Sequence, residues 1–472
     1  MQVIQSRLVG RRSGNRALAL ALILPLLRVS RVLGQAEDEA GYRRSYYQED
    51  NNRINVTTDT VQFDVGILSN VRLIGSGVLD AISGATPTGA PPQSKWPYPT
   101  FNNYYQTSYQ QAYSSLYNTF YDQNLIYVGL PGSPIPTLQA LTNQSVAYAQ
   151  STAPAIATNS ASASYSGLTN NPNYHKNSVP LTHLQDQRIA FSLQAPITLR
   201  QWKSADVTHT ITPAIAYSQE SDYVSYSASL SDAMVFNNKN TTASFGENHN
   251  DDKVRDDNFL YQAKVTDDIF IGLVQLCGPK AYFTVNTSIS FERGYLSDPY
   301  RGVITSEQLQ TNPDDAALIP ENRPHHRNKA LVYVSFTQFL TPLNGSYVLS
   351  YRYFQDTYGV SASTLEAQWN QKVGKHLVVS LLFRYYNQSA ADFYYTIVPE
   401  KNGKLPTFYS SDYRLSELET FATGVTITWR VIKHLSLDAS YLRYQMVGLD
   451  GVTSQSAYPS ANMVSFGARV WF

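Results

Sequence analysis

Apolar and polar residues alternate along most of the chain from residue 40 onward. In "VTITWRV" (425–431), Val425, Ile427, Trp429 and Val431 fall on one face, and Thr426, Thr428 and Arg430 on the other. The stretch 283–292 sets Phe283, Val285, Ile289 and Phe291 against Thr284, Asn286, Ser288, Ser290 and Glu292. Residues 346–353 set Tyr347, Leu349, Tyr351 and Tyr353 against Ser346, Ser350 and Arg352. A period of two is that of a strand with two different faces. Such runs extend over roughly nine to fifteen residues, longer than the strands of a soluble sandwich and long enough for a tilted strand to cross a bilayer.

Sixteen such segments are predicted: 41–48, 53–68, 71–83, 187–201, 207–219, 223–236, 240–250, 261–276, 281–293, 329–340, 346–355, 359–372, 376–388, 417–431, 434–445 and 461–472. Within 259–277, "DDIFIGLVQLC" also reads as a buried helix, so fourteen or eighteen strands are the alternatives. Every second connection is tight: "SN" (69–70), "WKSAD", "NNK", "CGPK", "TPLNG", "QKVG" and "IK". The opposite set holds the long segments 84–186, 294–328, 389–416 and 446–460. Short turns at one end and long loops at the other predict an all-β fold, a transmembrane antiparallel up-and-down barrel with long extracellular loops. Closure pairs every backbone donor and acceptor, so such a chain spans lipid without an apolar helix.

Composition refines this picture. Tyrosine is abundant, at 35 residues, and charged residues make up 15%; tyrosine and tryptophan suit the two interfacial belts of a membrane protein. Residues 1–36 read as a signal peptide: Arg7, Arg11, Arg12 and Arg16, the apolar run "ALALALILPLL", then "GQA" before a cut after Ala36. That segment carries 6 of the 36 basic residues and no acid, which leaves 30 basic against 36 acidic, a net charge of −6. Nucleic acid is therefore not an expected partner. The single cysteine, Cys277, excludes an internal disulfide and is expected as a buried or lipid-facing small residue.

Projecting the strands inward makes Asp64, Asp80, Arg188, Glu292, Arg352, Glu366, Arg384, Arg430, Asp438 and Arg469 the lumen-facing candidates. They are expected either to pair along the wall or to set the ion selectivity of a wide channel. The insert 84–186, rich in Tyr, Ser, Asn, Gln and Ala, is expected as a surface loop or a plug, with at least part over or within the lumen. "NHNDDKVRDDN" concentrates Asp251, Asp252, Asp256 and Asp257, oxygen ligands of the kind calcium accepts, but without ordered calcium-loop spacing, so solvated loop charge is the expectation. Adjacent His325 and His326 point to opposite faces of an extended chain. No G-x-S-x-G elbow, H-E-x-x-H pair or phosphate-cradling glycine loop is present, and neither an enzyme nor a cofactor is expected.

Compact motifs cap the strands: "DAISGATPTGAPP" (80–92), "GYLSDPYRG" (294–302), "ENRPHHR" (321–327), "YRYFQDTYG" (351–359), "RYYNQSAADFYY" (384–395) and "SSDYRLS" (410–416). In physical terms, Pro87, Pro91, Pro92 and Pro299 fix backbone angles, Gly84, Gly89 and Gly294 permit unusual ones, and Asp298 is placed to pair with Arg301. Together these motifs resemble a family of exported bacterial proteins, domain of unknown function 3570, from about Tyr42 to Phe472, with the insert departing from the family's usual loop. The resemblance implies an outer-membrane barrel without an assigned activity. It also implies a genomic association with exported flavin-attachment and thioredoxin-like proteins, hence periplasmic redox proteins as partners.

The chain ends "MVSFGARVWF". Val464, Phe466, Ala468, Val470 and Phe472 are expected to face lipid, and Ser465, Gly467, Arg469 and Trp471 the lumen. Phe472 resembles the terminal signal read by the barrel-insertion machinery, and outer-membrane lipids are the expected surroundings. Two functions remain open: a porin-like or gated conduit, and a non-transporting surface scaffold linked to an exported flavin or redox system.

Overall fold

A computed structural model describes residues 37–472 except 90, 92–100, 129–133, 170–178, 200–206, 259 and 312–317. The signal-peptide segment lies outside the described residues, as does Pro92.

The strands in chain order are β1 (Glu39–Glu49), β2 (Asn55–Leu68), β3 (Val71–Pro87), β4 (Leu181–Gln194), β5 (Ile197–Leu199), β6 (Thr208–Gln219), β7 (Tyr223–Phe236), β8 (Thr241–Arg255), β9 (Tyr261–Leu276) and β10 (Ala281–Gly294). There follow the short β11 (Gly302–Val303) and β12 (Ile319–Pro320), then β13 (His326–Leu340), β14 (Gly345–Asp356), β15 (Ser361–Val373), β16 (Leu377–Gln388), β17 (Leu418–Ile432), β18 (Leu435–Gly448) and β19 (Ser460–Trp471). At Ala195–Pro196 the fourth wall strand is interrupted, and β5 carries it on, pairing with β3 and β6. Counting β4 and β5 as one, sixteen antiparallel strands follow one another round the wall, and β19 pairs with β1 from Trp471↔Glu39 to Ala461↔Glu49, so the sheet is closed. β11 and β12 pair only with each other, outside the wall.

The helix alternative for 259–277 falls away. β9 runs from Tyr261 to Leu276 with full ladders to β8 and β10. Its Ile269 and Ile271 stand on the outer face, 51% and 57% exposed. The same outer face shows Ile189 and Phe191 on β4, Leu381 and Phe383 on β16, Ile427 and Trp429 on β17, and Phe466 on β19. A soluble protein does not leave such a belt to water; it is the lipid-facing surface of a membrane barrel. No described helix is long and apolar enough to cross a membrane.

Three sequence expectations change. The acid-rich stretch expected as solvated loop charge is largely strand: β8 runs past the predicted end at 250 to Arg255, so Asp251 and Asp252 point to opposite faces of the wall. Cys277 is exposed in the turn between β9 and β10, where its N–H donates to Ala281 O at 2.9 Å, rather than buried or in lipid. The insert contains two helices, α1 (Phe101–Asn124) and α2 (Leu138–Thr169), which pack on each other. Leu141, Ser145, Ala149, Ala153, Ala157 and Ala161 recur every four residues on α2 and are all wholly buried. Residues four apart share a helix face, and small ones let two backbones approach closely. Tyr104 with Tyr165 and Phe120 with Tyr148 close the sides of this seam.

Candidate functional site: a capped lumen

The ten lumen candidates share the face opposite the exposed apolar belt, and most are tied to neighbours. Asp64 holds Arg72 at 2.6 Å, Asp80 holds Arg188 at 2.6 Å, and Glu292 accepts from Lys329 at 2.5 Å. Asp438 meets Arg43 at 2.9 Å, and Arg469 lies 3.7 Å from Glu39. Arg352 stands over the Tyr333 ring and Arg430 over the Trp471 ring. Glu366 and Arg384 are opposite each other in the β15–β16 ladder. The wall is thus laced by charge pairs between strands, each locking two adjacent side chains.

At the end of the barrel that bears the long connections, the loops fold over the opening. Arg301, in the loop between β10 and β13, donates to Thr86 Oγ1 on β3 at 2.9 Å. β3 lies six strands from β10 by the shorter way round a sixteen-strand wall, so this loop spans the mouth. The Gly302 N–H then donates to Thr88 O at 2.9 Å, and Tyr300 reaches Asp222 in the β6–β7 turn at 2.5 Å. The loop between β16 and β17 joins through Tyr409 and Asn322, whose backbones exchange hydrogen bonds of 2.8 and 3.0 Å. Tyr394 links it to Thr453 in the β18–β19 loop. Arg53, from the β1–β2 turn, donates to Ser456 O and Ala457 O at 3.1 Å.

Six charged side chains form the centre of this cap. Arg323 pairs with Glu321 at 2.6 Å and with Asp412 at 2.8 Å; Arg414 pairs with Asp412 at 2.5 Å and also with Asp298. Arg301 lies 3.6 Å from Asp298, the pairing expected from their spacing, and 3.8 Å from Asp412. The Asp412 and Glu321 side chains are 0% and 1% exposed. Burial alone would raise the Asp412 carboxyl, but Arg414, Arg301 and Arg323 overcome it and hold the group well below its ordinary value. Asp298 is lowered against burial by Arg414 and Arg301. For Glu321 burial wins over Arg323, and the carboxyl is raised. Ser410 supplies Glu321 with a further short hydrogen bond, and Asp412 caps the turn at Tyr413–Leu415 by accepting from Arg414 N.

Apolar packing surrounds the charges. Tyr358, Val360, Ala391, Phe393 and Leu415 form one buried cluster, with Tyr358 edge-on to Phe393 at 4.8 Å and the Arg327 guanidinium 4.5 Å over the Tyr358 ring. Val179, Tyr413, Leu418, Ala457 and Tyr458 form a second. The six sequence motifs therefore converge: Thr86, Arg301, Glu321, Tyr358, Phe393 and Asp412 each come from a different one. Sequence alone showed their loop positions but not their meeting.

The four aspartates considered for a metal do not converge. Asp252 faces inward, accepting from Tyr223 at 2.5 Å and lying 3.5 Å from Lys264; Asp256 accepts from the Asn258 and Leu260 N–H groups and from Gln262; Asp251 is exposed. Asp257 adds its charge beside Tyr295. Among the described residues, the three carboxylates that come within 4.8 Å of one another are Asp186, Glu220 and Asp222, which sequence reasoning did not single out. Burial, then mutual repulsion, raises Glu220; burial also raises Asp222. α1 reaches the barrel rim here, with Gln111 donating to Thr182 Oγ1 at 3.2 Å.

The family model described as "Protein of unknown function (DUF3570)" matches residues 26–259 and 253–462, and the chain belongs to that family. No curated protein matches the sequence. Among solved structures, the chain is similar to the siderophore receptor PirA from Pseudomonas aeruginosa (7% identity, 92% of this chain and 61% of that one, TM-score 0.38). It is also similar to CdiB from Acinetobacter baumannii (6%, 93% and 60%, 0.39) and to OccAB2 from the same organism (8%, 92% and 98%, 0.30). It thus spans about three fifths of the receptor and of CdiB. The barrel assignment rests on the strand pairing itself.

Proposed function

We propose that this protein is a gated conduit of the bacterial outer membrane, a sixteen-strand barrel whose external mouth is held shut by its own loops. The observation that carries the reading is the path of the β10–β13 loop, which leaves one side of the mouth and bonds to β3 on the other through Arg301 and Thr86. Sixteen strands enclose more room than side chains fill, so an occluded mouth is a built feature with something to regulate. The long loops are external under this reading, and the tight turns periplasmic, as for outer-membrane barrels in general.

The purified protein in planar lipid bilayers tests this. Intact protein is expected to stay almost silent, and Asp412→Asn, which removes the charge shared by Arg301, Arg323 and Arg414, is expected to produce discrete openings. Large, steady conductance from the intact protein overturns the closed mouth. Silence from the variant, in a barrel whose fold is verified by circular dichroism, overturns the conduit.

A further inference from the structure

Against Arg414 of the cap, the inner face of the wall lines a chamber of about 380 Å³. Its wall comes from one face of four consecutive strands: Glu366 on β15, Leu382, Arg384, Tyr386 and Gln388 on β16, Leu418, Thr420 and Ala422 on β17, and Leu442, Tyr444 and Met446 on β18. The ladders place these residues in register, Glu366 opposite Arg384, Arg384 opposite Ala422 and Ala422 opposite Tyr444, so they form one continuous surface. The roof is Arg414. Its partners Asp412 and Asp298 lie behind it in the cap, 0% and 18% exposed, while 48% of the Arg414 side chain remains accessible.

Of the two guanidinium groups and one carboxylate that line the chamber, Arg414 is already held by Asp412 and Asp298, whereas Arg384 and Glu366, although opposite in the ladder, are not in an ion pair among the described residues. A guanidinium inside a protein wall without a carboxylate partner has its fork of donors unsatisfied by the protein. Around it the surface divides: Leu382, Leu418, Ala422, Leu442 and Met446 are apolar, and Tyr386 and Tyr444 bring hydroxyls on aromatic bodies. Ligand sites of about 300–1,000 Å³ have this composition, mostly apolar with a few placed polar groups.

We infer that the chamber is a binding site for a small amphipathic carboxylate, with Arg384 taking the carboxylate and the leucine and methionine side chains its apolar body. A carboxylate matches the planar fork of arginine bidentately, which a neutral amide does not. The site deepens the conduit reading by naming the class of solute, yet binding in the chamber does not require the mouth to open.

The test is calorimetric titration of the full mature barrel in detergent with benzoate, and with benzamide as the neutral probe of the same shape. Benzoate is expected to bind about tenfold or more tighter than benzamide, from the charged hydrogen bonds alone. Arg384→Gln is expected to abolish that preference, and Arg352→Gln, outside the chamber, to leave it within about twofold. Arg384→Lys is expected to restore part of it, and Met446→Trp, which fills the chamber, to weaken both probes; these two decide if Arg384→Gln does not fold. Equal binding of the two probes, no binding of benzoate, or full benzoate affinity in Arg384→Gln overturns the inference. Openings from Asp412→Asn in bilayers without benzoate binding would overturn the chamber and leave the conduit; binding without openings would do the reverse.

Discussion

Arg323 and Asp412 lie 89 residues apart in the chain and meet at 2.8 Å inside the cap, with the Asp412 side chain wholly buried. The pair joins the β10–β13 loop to the β16–β17 loop. Removing one partner of a buried ion pair costs about 3–5 kcal/mol, because the other charge stays buried without compensation. Arg323→Gln is therefore expected to loosen the cap by about that much and to expose 295–325 to external protease while the barrel remains intact. Protease resistance equal to the parent's would show that the pair does not hold the loops.

The pH response of the cap follows from the depressed Asp412 and Asp298. A carboxyl whose native value lies below its ordinary one stabilises the folded form fully above about pH 3.9, and that contribution is lost as pH falls through the lower native value. Glu321, raised by burial, takes up its proton at higher pH and in doing so favours the folded cap, so conductance of the parent protein is expected to be unchanged between about pH 7 and pH 5 and to rise only below about pH 4. An opening transition near pH 6 would assign the gate to other groups.

Gly89 tests the packing of the loops on one another. Its φ is +102°, and an added Cβ would lie 2.4 Å from Gly302 O. Gly89→Ala combines a strained backbone with a clash against a carbonyl, for which a cost of about 1–3 kcal/mol is expected. Local hydrogen exchange at Gly302 N–H, which donates to Thr88 O, should accelerate in step.

Cys277 reports the orientation of the barrel. It is the single cysteine and stands exposed in a tight turn. A membrane-impermeant maleimide is expected to leave it unlabelled in intact cells and to label it once the outer membrane is permeabilised. A cysteine placed at Val452, exposed in the β18–β19 loop, should label in intact cells. The reverse pattern would invert the topology.

Phe472 tests assembly. β19 closes the barrel on β1, and the Phe472 N–H donates to Asp38 O at 2.9 Å just beyond the last paired residues. Deleting Phe472 is expected to lower the amount of folded barrel in the outer membrane several-fold; unchanged levels would remove its role as an insertion signal.

The wall was legible because every strand has two unlike surroundings, so alternation in residues such as Phe283 to Glu292 records the fold directly. The run at 269–276 resisted that reading because Phe270 also points inward; an added Cβ on Gly246 across the ladder would meet its ring at 2.4 Å. The helices of the insert were not legible, since the buried seam of α2 beyond Leu141 is made of alanine and serine at a spacing of four and gives almost no hydrophobic contrast, and Pro154 lies inside the helix. The cap was legible only as parts. Asp298 and Arg301 announce their pairing by proximity, but Asp298 with Arg414, 116 residues apart, is decided by how loops cross an opening. The lumen charges were found by projection, whereas the chamber required the ladders that bring Arg384 and Tyr444 onto one surface.

Thr88, just past β3, donates through both its N–H and its hydroxyl to Pro180 O, immediately before β4. The two ends of the long insert are thus clasped at the rim, and the wall and cap receive the chain as though a short loop connected β3 to β4. With such a clasp the spacing of β3 and β4 at the rim is set by these two hydrogen bonds, whatever the length of chain that runs between them.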